Sequence, residues 1–504
     1  MKQEIFINSS PQESRIAIIE DGVLAEFLVE RKEEMGIAGN IYKGKVSRVL
    51  PGMQAAFVDI GMEKAAFLHA SDFSSVPEDV QLIGAPGEDV EIEAPPPKRV
   101  SHRRLPLEKQ LSRDEAILVQ VAKDPLGTKG ARVTSHISLP GRYMVFMPGT
   151  KHIGISRRIE SEEERKRLKE IAGSVLTGHG GFILRTASEG RSKREIQRDL
   201  GFLTRLWRRL QKRAEGAAAP SLIHQDLDLI ARSIRDFFTP DTEQLVIDSS
   251  KDYRRVMDFV GQFMPRLKSK IVLYSGAEPL FERHAIEEKI ERALDRRVWL
   301  RSGGYIIIER TEALTAVDVN TGRFVGKRNQ EETIVKTNLE AAQEVVRQLR
   351  LRNVGGIIII DFIDMEKESD RKKVYDALKD ALKKDKARTN ILKISELGLV
   401  EMTRQRTRES LENQLLSPCP HCDGRGRIKS SVTVAYDLLR AIKKQQANLE
   451  NGKNILVRLH PDVANFLYDE KNNSLENLER EINRRIIIKV SQELRHDQYE
   501  IAES

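Results

Sequence analysis

At 504 residues with 39% hydrophobic content, the chain is long enough for about three domains of roughly 150 residues each, with several buried cores. No apolar run approaches the ~20 residues needed to cross a bilayer, and the first residues lack the apolar stretch of a secretory leader, so a cytoplasmic protein without a membrane span is expected. Its two cysteines exclude a disulfide framework. The balance of 84 basic against 76 acidic residues leaves a net charge of +8, which matters for a polyanionic partner where the excess is local.

In chain order, the alternation predicts short strands at 4–8, 15–19 and 23–30, with Asp21-Gly22 marking a tight turn between the last two. Evenly spaced short strands follow at 40–46, 55–60, 65–69, 116–122 and 132–136, the pattern of a small OB-type barrel. Such barrels stack single-stranded bases on aromatics above a basic groove. Phe57 and Phe67 fall on neighbouring strands and could form that platform, with Lys129 in the adjoining Gly-rich loop, although ordinary core packing is an equal reading for each ring. Residues 72–113 interrupt the barrel: acidic, then Pro-rich, then basic, with little periodicity, they read as a long structureless insertion.

Between 137 and 220 strands at 142–147 and 181–186 mix with charged helices at 161–175 and 193–216. Apolar spacing at Ile196, Leu200, Leu203, Leu206, Trp207 and Leu210 supports the second helix and puts Arg198 and Asp199 on its polar side. Ten basic residues lie between Arg185 and Arg213 against only Glu189, Glu195 and Asp199, an electrostatic surface suited to nucleic acid. Residues 222–293 alternate helix (226–238), strand (244–248), helix (252–264), strand (270–274) and helix (276–294), an α/β region.

Two hydrophobic runs then end in acids. One is Leu314-Thr-Ala-Val-Asp318-Val-Asn320, the other Gly356-Ile-Ile-Ile-Ile-Asp361-Phe-Ile-Asp364, with helices expected at 331–352 and 369–384. A single Asp after a strand usually caps a turn. Two such acids, with Asn320 two past the first and Asp364 three past the second, favour a site for a hard cation such as magnesium, which accepts oxygen ligands.

Cys419 and Cys422 stand in Pro-Cys-Pro-His-Cys-Asp-Gly-Arg-Gly, where the glycines favour turns over the helix start of a redox pair. Two thiolates are half of a tetrahedral zinc site. His421 as a third ligand is strained by its position. A second chain donating its own pair is the economical completion, and a metal-free loop is the other reading.

Long stretches carry a resemblance: residues 39–59, 154–160, 314–322, 347–365 and 419–426 are similar to motifs of the ribonuclease E/G family. The match runs from Met1 to about Ile428, is looser from Ser430, and follows the shorter G type, since no long Arg- and Pro-rich scaffold follows. The resemblance implies a multidomain α/β fold. An RNase-H-like subdomain (1–38 and 225–293) would be interrupted by the OB-type barrel (39–136) and a 5′-sensor domain (137–224). A DNase-I-like catalytic domain (294–414), a zinc link (415–429) and a small α/β dimerisation domain (430–504) would follow.

It further implies Asp318 and Asp361 as magnesium ligands with Asn320 assisting, and Arg185 and Thr186 as the grip on a 5′-monophosphate. Gly141 and Val145 would lie near the first nucleotide, with Arg388 as a further contact, and Phe57, Phe67 and Lys129 would clamp RNA. The implied activity is magnesium-dependent endonucleolytic cleavage of single-stranded, A/U-rich RNA, preferring 5′-monophosphorylated ends. Maturation of the 5′ end of 16S ribosomal RNA and mRNA turnover are the implied roles, in a zinc-linked homodimer or homotetramer. A catalytically idle RNA-binding assembly factor is the alternative from another class, and it would have no need to keep both acids.

Overall fold

Strands from distant parts of the chain meet in the first sheet of the computed structural model, which describes residues 2–73, 90–92, 107–125, 129–150, 153–159, 161–175, 180–322, 330–395, 397–406, 408–445, 454–469 and 473–503. The chain divides into two compact units, Met1–Gln414 and Leu415–Ser504.

In the first unit, Gln3–Ser9, Glu13–Glu20 and Val23–Arg31 form an antiparallel meander, and Gln3–Ser9 also pairs in parallel with Thr242–Ile247, which pairs with Ile271–Leu273. Nothing but a long excursion can lie between residues 31 and 242 if those strands are to share a sheet. Its core is built from Ile5, Ile7, Ile16, Ile18, Leu245 and Ile247 against the helices Leu229–Phe237 and Ser250–Phe263. The helix expected at 276–294 is two pieces, Leu280–Arg283 and Ile286–Leu294, broken where Ala285 adopts φ 49°, a left-handed conformation that no helix propagates.

The excursion holds two bodies. Ile41–Leu50, Ala55–Asp59, Ala66–His69, Arg132–Thr134 and Ala116–Lys123 close into a five-stranded barrel through pairing of the first with the last, and Ser221–His224 adds an outer strand. Ala56, Val58, Ala66 and Leu68 point inward and are fully buried, with the part-buried Phe57 and Phe67 between them. The second body is a sheet of Leu139–Pro140, Met144–Met147, Gly181–Leu184, Ile153–Ser156 and Val90–Ile92, covered by the helices Glu162–Val175 and Lys193–Gly216. The edge strand Val90–Ile92 corrects the expectation of a wholly structureless insertion: it pairs antiparallel with Ile153–Ser156, and Leu107 is buried in the barrel core. The rest of that insertion, residues 74–89 and 93–106, lies outside the described residues.

Residues 297–404 form a six-stranded sheet in the order Arg297–Trp299, Tyr305–Arg310, Leu314–Asn320, Gly356–Asp361, Leu399–Arg404, Thr389–Ile391. Gln330–Leu351 and Glu368–Leu382 cover one face, where Val317, Val319, Ile358, Ile360, Val345 and Leu378 are buried. The first of these helices also meets the N-terminal sheet, since Arg350 lies between Glu20 and Glu26 and Arg347 donates to the carbonyl of Leu24. Across the sheet, Arg404 Nε and Nη2 donate to Asp385 at 2.7 and 3.0 Å with both side chains buried. Breaking such a pair by removing one partner costs about 3–5 kcal/mol.

The second unit opens on a knuckle in which Asp423, Gly424 and Gly426 all have positive φ, so the two glycines supply the turn at no steric cost. The helix Ser431–Gln445 and a three-stranded sheet with Ile455–Leu459 at its centre follow, with the helices Pro461–Leu467 and Ser474–Ile482. Arg495 donates to the carbonyl of Pro420 and to Asp423, which ties the knuckle to the end of the chain.

Candidate functional site

The acid-bearing strands lie side by side and parallel, and their register sets Asp318 directly opposite Asp361. Opposed residues of paired strands share a face, here the one away from the helices, and both carboxylates are exposed. Asn320 Nδ2 donates to Asp318 Oδ2 at 2.8 Å, which fixes one carboxylate oxygen and leaves the other for a ligand. Burial, then the charges of Asp318 and Asp364, push the Asp361 pKa up. Like charges held together by a sheet raise the cost of ionisation until a cation offsets them, so the donor set of hard oxygens fits a divalent ion such as magnesium.

A buried side chain holds the loop beyond Asp361. Asn338 is fully buried on the helix Gln330–Leu351; its Nδ2 donates to the carbonyl of Ile363 at 2.8 Å and its Oδ1 accepts from the amide of the same residue at 3.1 Å. The backbone between Asp361 and Asp364 is thereby pinned. Neither the periodicity nor the acid spacing identifies Asn338, whose position on the inner face of a helix reads as core.

Arg185 and Thr186, expected to grip a 5′-phosphate, line a cavity of about 1350 Å³ whose walls also include Arg235, Asp236, Lys386 and Arg408. Arg185 is buried, and its Nη1 donates to the Gly141 carbonyl and to Asp236 Oδ1, both at 2.9 Å. Thr186 Oγ1 lies 3.2 Å from Ser156 Oγ. Burial pushes the Asp236 carboxyl up, but the charges of Arg185 and Arg235 outweigh it and hold the group far below the usual carboxylate range. Lys386 sits with Nζ 3.4 Å from the centroid of the Phe237 ring and within 3.1 Å of the Asp236 carbonyl. Although its side chain reaches the solvent of the cavity, the surrounding protein pushes its pKa down to about 8, against the pull of Glu26 and Asp236.

Lys386 escapes a reading of the sequence because it comes from a loop some 150 residues beyond Asp236. That loop is fixed to the sheet that includes Ile153–Ser156 by Arg158, which donates to the carbonyls of Asp385 and Ala387.

One expectation changes here. Asp199 is not on a polar helix face: it is buried, and the amides of Arg142, Tyr143 and Met144 donate to its carboxylate at 3.3, 2.8 and 3.2 Å. Burial drives its pKa up against those three donors and Arg185. Gly141 is required by this packing, since a Cβ there would meet Asp199 Oδ2 at 2.6 Å. The side chain of Val145 is fully buried in the strand Met144–Met147. Neither Gly141, Val145 nor Arg388 is among the cavity's lining residues; Arg388 is exposed at the end of the wall formed by Lys383 to Ala387.

On the barrel, Phe57 and Phe67 are a cross-strand pair with centroids 6.0 Å apart and planes at 69°. Both alternate with fully buried neighbours and are themselves only part-buried, which leaves ring surface in contact with solvent. Lys129 is exposed.

In the second unit, the amides of Cys422 and His421 hold the Cys419 thiol below its ordinary range, and the amide of Gly426 donates to Cys422 Sγ at 3.3 Å. Amides aimed at sulfur are the surroundings of a metal-bound thiolate pair, so the donors fit a zinc ion. Among the described residues, the one group of three metal-type ligands within 4.8 Å of one another is His460, Asp462 and His496, so it does not supply a third ligand to the cysteines.

Comparison with known proteins agrees with this layout. Residues 138–407 match the ribonuclease E/G family, residues 37–91 the S1 RNA binding domain, and residues 418–504 the RNase E/G thioredoxin-like domain. The chain is 48% identical over 499 residues to ribonuclease G of Haemophilus influenzae, covering 99% of both proteins. It is 44% identical over 501 residues to ribonuclease G of Escherichia coli K12, again covering 99% of both. Against ribonuclease E of Haemophilus influenzae the identity is 37% over 493 residues, 97% of this chain but 50% of that protein. Full-length identity at this level, with a family match over the stretch that holds Arg185, Asp236, Lys386 and the paired acids, means that the chain belongs to the ribonuclease E/G family and is an endoribonuclease.

Proposed function

We propose that the chain cleaves single-stranded RNA with a magnesium ion held by Asp318 and Asp361, and that it favours substrates with a 5′-monophosphate. The observation that carries this reading is the in-register pairing of the two acids on an open sheet face. When bound, the ion would supply activation of water and charge neutralisation at the scissile phosphate. Asn320 orients Asp318, and Asn338 fixes the chain beyond Asp361. Products would carry a 5′-phosphate and a 3′-hydroxyl. The six-stranded sheet is the DNase-I-like catalytic domain on this assignment, and the five-stranded sheet that includes residues 3–31 the RNase-H-like one.

The sensor reading rests on chemistry at the cavity wall. Arg185 is held by Asp236 and Gly141 in a fixed orientation, Thr186 offers a hydroxyl beside it, and Lys386 adds a cation at the Asp236 carbonyl. Guanidinium and phosphate pair well through parallel N–H donors. Phe57 and Phe67 would stack bases on the barrel, each worth about 1–3 kcal/mol, with Lys129 near the backbone. A/U-rich single strands, precursor 16S ribosomal RNA and mRNA are the substrates that resemblance to the family suggests, in the cytoplasm. Cys419 and Cys422 from two chains would share one zinc ion, joining a homodimer that could pair again into a tetramer.

Purified protein offered a 5′-monophosphorylated oligoribonucleotide should cut it with magnesium and not with a chelator, and should cut the 5′-hydroxyl form more slowly. Undiminished cutting in the chelator would overturn the metal reading. For the link, elemental analysis with light scattering should find one zinc per two chains. One per chain, or a dimer that persists in Cys419→Ser/Cys422→Ser, would contradict the shared site.

A further inference from the structure

The sheet face that presents Asp318, Asn320 and Asp361 also presents two aromatic rings and a guanidinium that the proposed chemistry does not use. Strand register establishes this. In one row Trp299 pairs with Tyr305 and Tyr305 with Asn320; in the next, Arg297 pairs with Ile307, Ile307 with Asp318, and Asp318 with Asp361. Directly opposed residues project to the same side of a sheet, as do residues two apart on one strand. Trp299, Tyr305 and Arg297 therefore stand on the acid face, while Ile306, Val317, Val319 and Ile360, out of phase by one, are buried against the helices.

Trp299 lies on the edge strand Arg297–Trp299 and is 63% exposed. A lone exposed apolar residue needs no explanation. This one is part of an arrangement: its ring meets Tyr305 at 5.4 Å between centroids with planes at 65°, and the Arg297 guanidinium lies 4.6 Å from the Tyr305 centroid and 5.7 Å from that of Trp299. The edge-to-face contact and the cation fix the rings at little further entropic cost on binding. Rings with a free face beside a guanidinium are what a single strand of nucleic acid meets in a stacking site: bases lie on the rings and the phosphate meets the cation. Two strand spacings, about 10 Å, separate the backbone of Trp299 from that of Asn320, which puts the rings next to the proposed cut.

We propose that Trp299 and Tyr305, with Arg297, form a base-stacking platform for single-stranded RNA immediately beside the cleaved bond, separate from the aromatic pair of the barrel. The placement beside the cut rests on the reading of Asp318 and Asp361 given above. The platform accepts any base, since every base has a π face, and it acts by positioning the strand across the acids.

Trp207 and Trp299 are the two tryptophans of the chain, so Trp207→Phe leaves Trp299 as the sole reporter. In the full-length Trp207→Phe/Asp318→Asn protein, a single-stranded oligoribonucleotide should quench Trp299 fluorescence on binding. In active protein, Trp299→Ala should raise KM by about ten-fold with little change in kcat, and Trp299→Phe should restore most of the loss. An abasic nucleotide scanned past the cut should weaken the wild type at one position and leave Trp299→Ala indifferent there. Unchanged fluorescence, or a wild-type KM in Trp299→Ala, would overturn the platform even when Asp318→Asn is inactive. Retained cleavage by Asp318→Asn would instead overturn the acid reading, and with it only the placement of the platform beside the cut.

Discussion

Asp361 and Asp236 are carboxylates at the rims of two charged sites in the same unit, and their surroundings drive them in opposite directions. At Asp361 burial and the charges of Asp318 and Asp364 raise the pKa. At Asp236 burial is overcome by Arg185 and Arg235, and the pKa falls. The sheet site concentrates like charge and, on the proposed reading, is complete only with a cation from outside. The cavity contains its own counter-charge, so Arg185 is held in place by Asp236, and a phosphate bound there as proposed would have to compete with Asp236 or share the cations with it. A site built from repulsion is expected to fail outright when one member is removed, whereas a compensated site loses selectivity first.

The largest effect follows at the sheet. Asp318→Asn keeps the hydrogen-bonding shape beside Asn320 but removes a ligand charge. Cleavage should fall by more than about 100-fold, because even the loss of a residue that only supports a metal ligand costs 10–100-fold. RNA affinity measured by filter binding should stay within a few-fold, since phosphate contacts elsewhere carry it. Near-normal cleavage would mean the acids only cap their strands.

Asn338→Ala should cost about 1–3 kcal/mol in chemical denaturation, the penalty of leaving the amide and carbonyl of Ile363 without partners in a buried setting. It should also raise the magnesium concentration needed for half-maximal cleavage about 10-fold or more by freeing the chain around Asp361. A loss of stability with an unchanged magnesium requirement would confine Asn338 to a structural role.

At the cavity, Arg185→Ala should lower the rate on 5′-monophosphorylated RNA by about 10-fold and leave 5′-hydroxyl RNA nearly untouched, an effect of the size expected for one charge-assisted contact. Equal losses on both substrates would show that the residue only satisfies Asp236.

The smallest effect is a pH dependence. Lys386, with its pKa pushed down to about 8, is charged below that pH and neutral above it, so it aids an anion only on the acid side. The ratio of 5′-monophosphate to 5′-hydroxyl cleavage should therefore decline as pH rises through about 8, by a few-fold, and Lys386→Met should flatten that decline. Taking the ratio removes any pH effect on the chemistry common to both substrates.

What could be read from the sequence follows from range along the chain. The paired acids are visible because each closes a hydrophobic run long enough to be a strand, and parallel neighbours end at the same edge. The knuckle is visible because turn glycines and thiols lie within eight residues. Asp199 is misread because helical periodicity reports only which face a residue occupies; that the face meets three amides near residue 142 is a tertiary fact. Lys386 joins Asp236, and Asn338 joins Ile363, through contacts that no local pattern encodes. The strand within the barrel insertion is hidden for the same reason: Val90–Ile92 is too short to show alternation, and it is defined by its partner Ile153–Ser156.

Binding of manganese, a hard divalent ion visible by electron paramagnetic resonance, tests the paired-acid site without requiring turnover. Wild-type protein should bind one more ion per chain than either Asp318→Asn or Asp361→Asn, whatever the other ligand groups of the chain hold. Equal stoichiometry and affinity in all three proteins would contradict a cation held by Asp318 and Asp361.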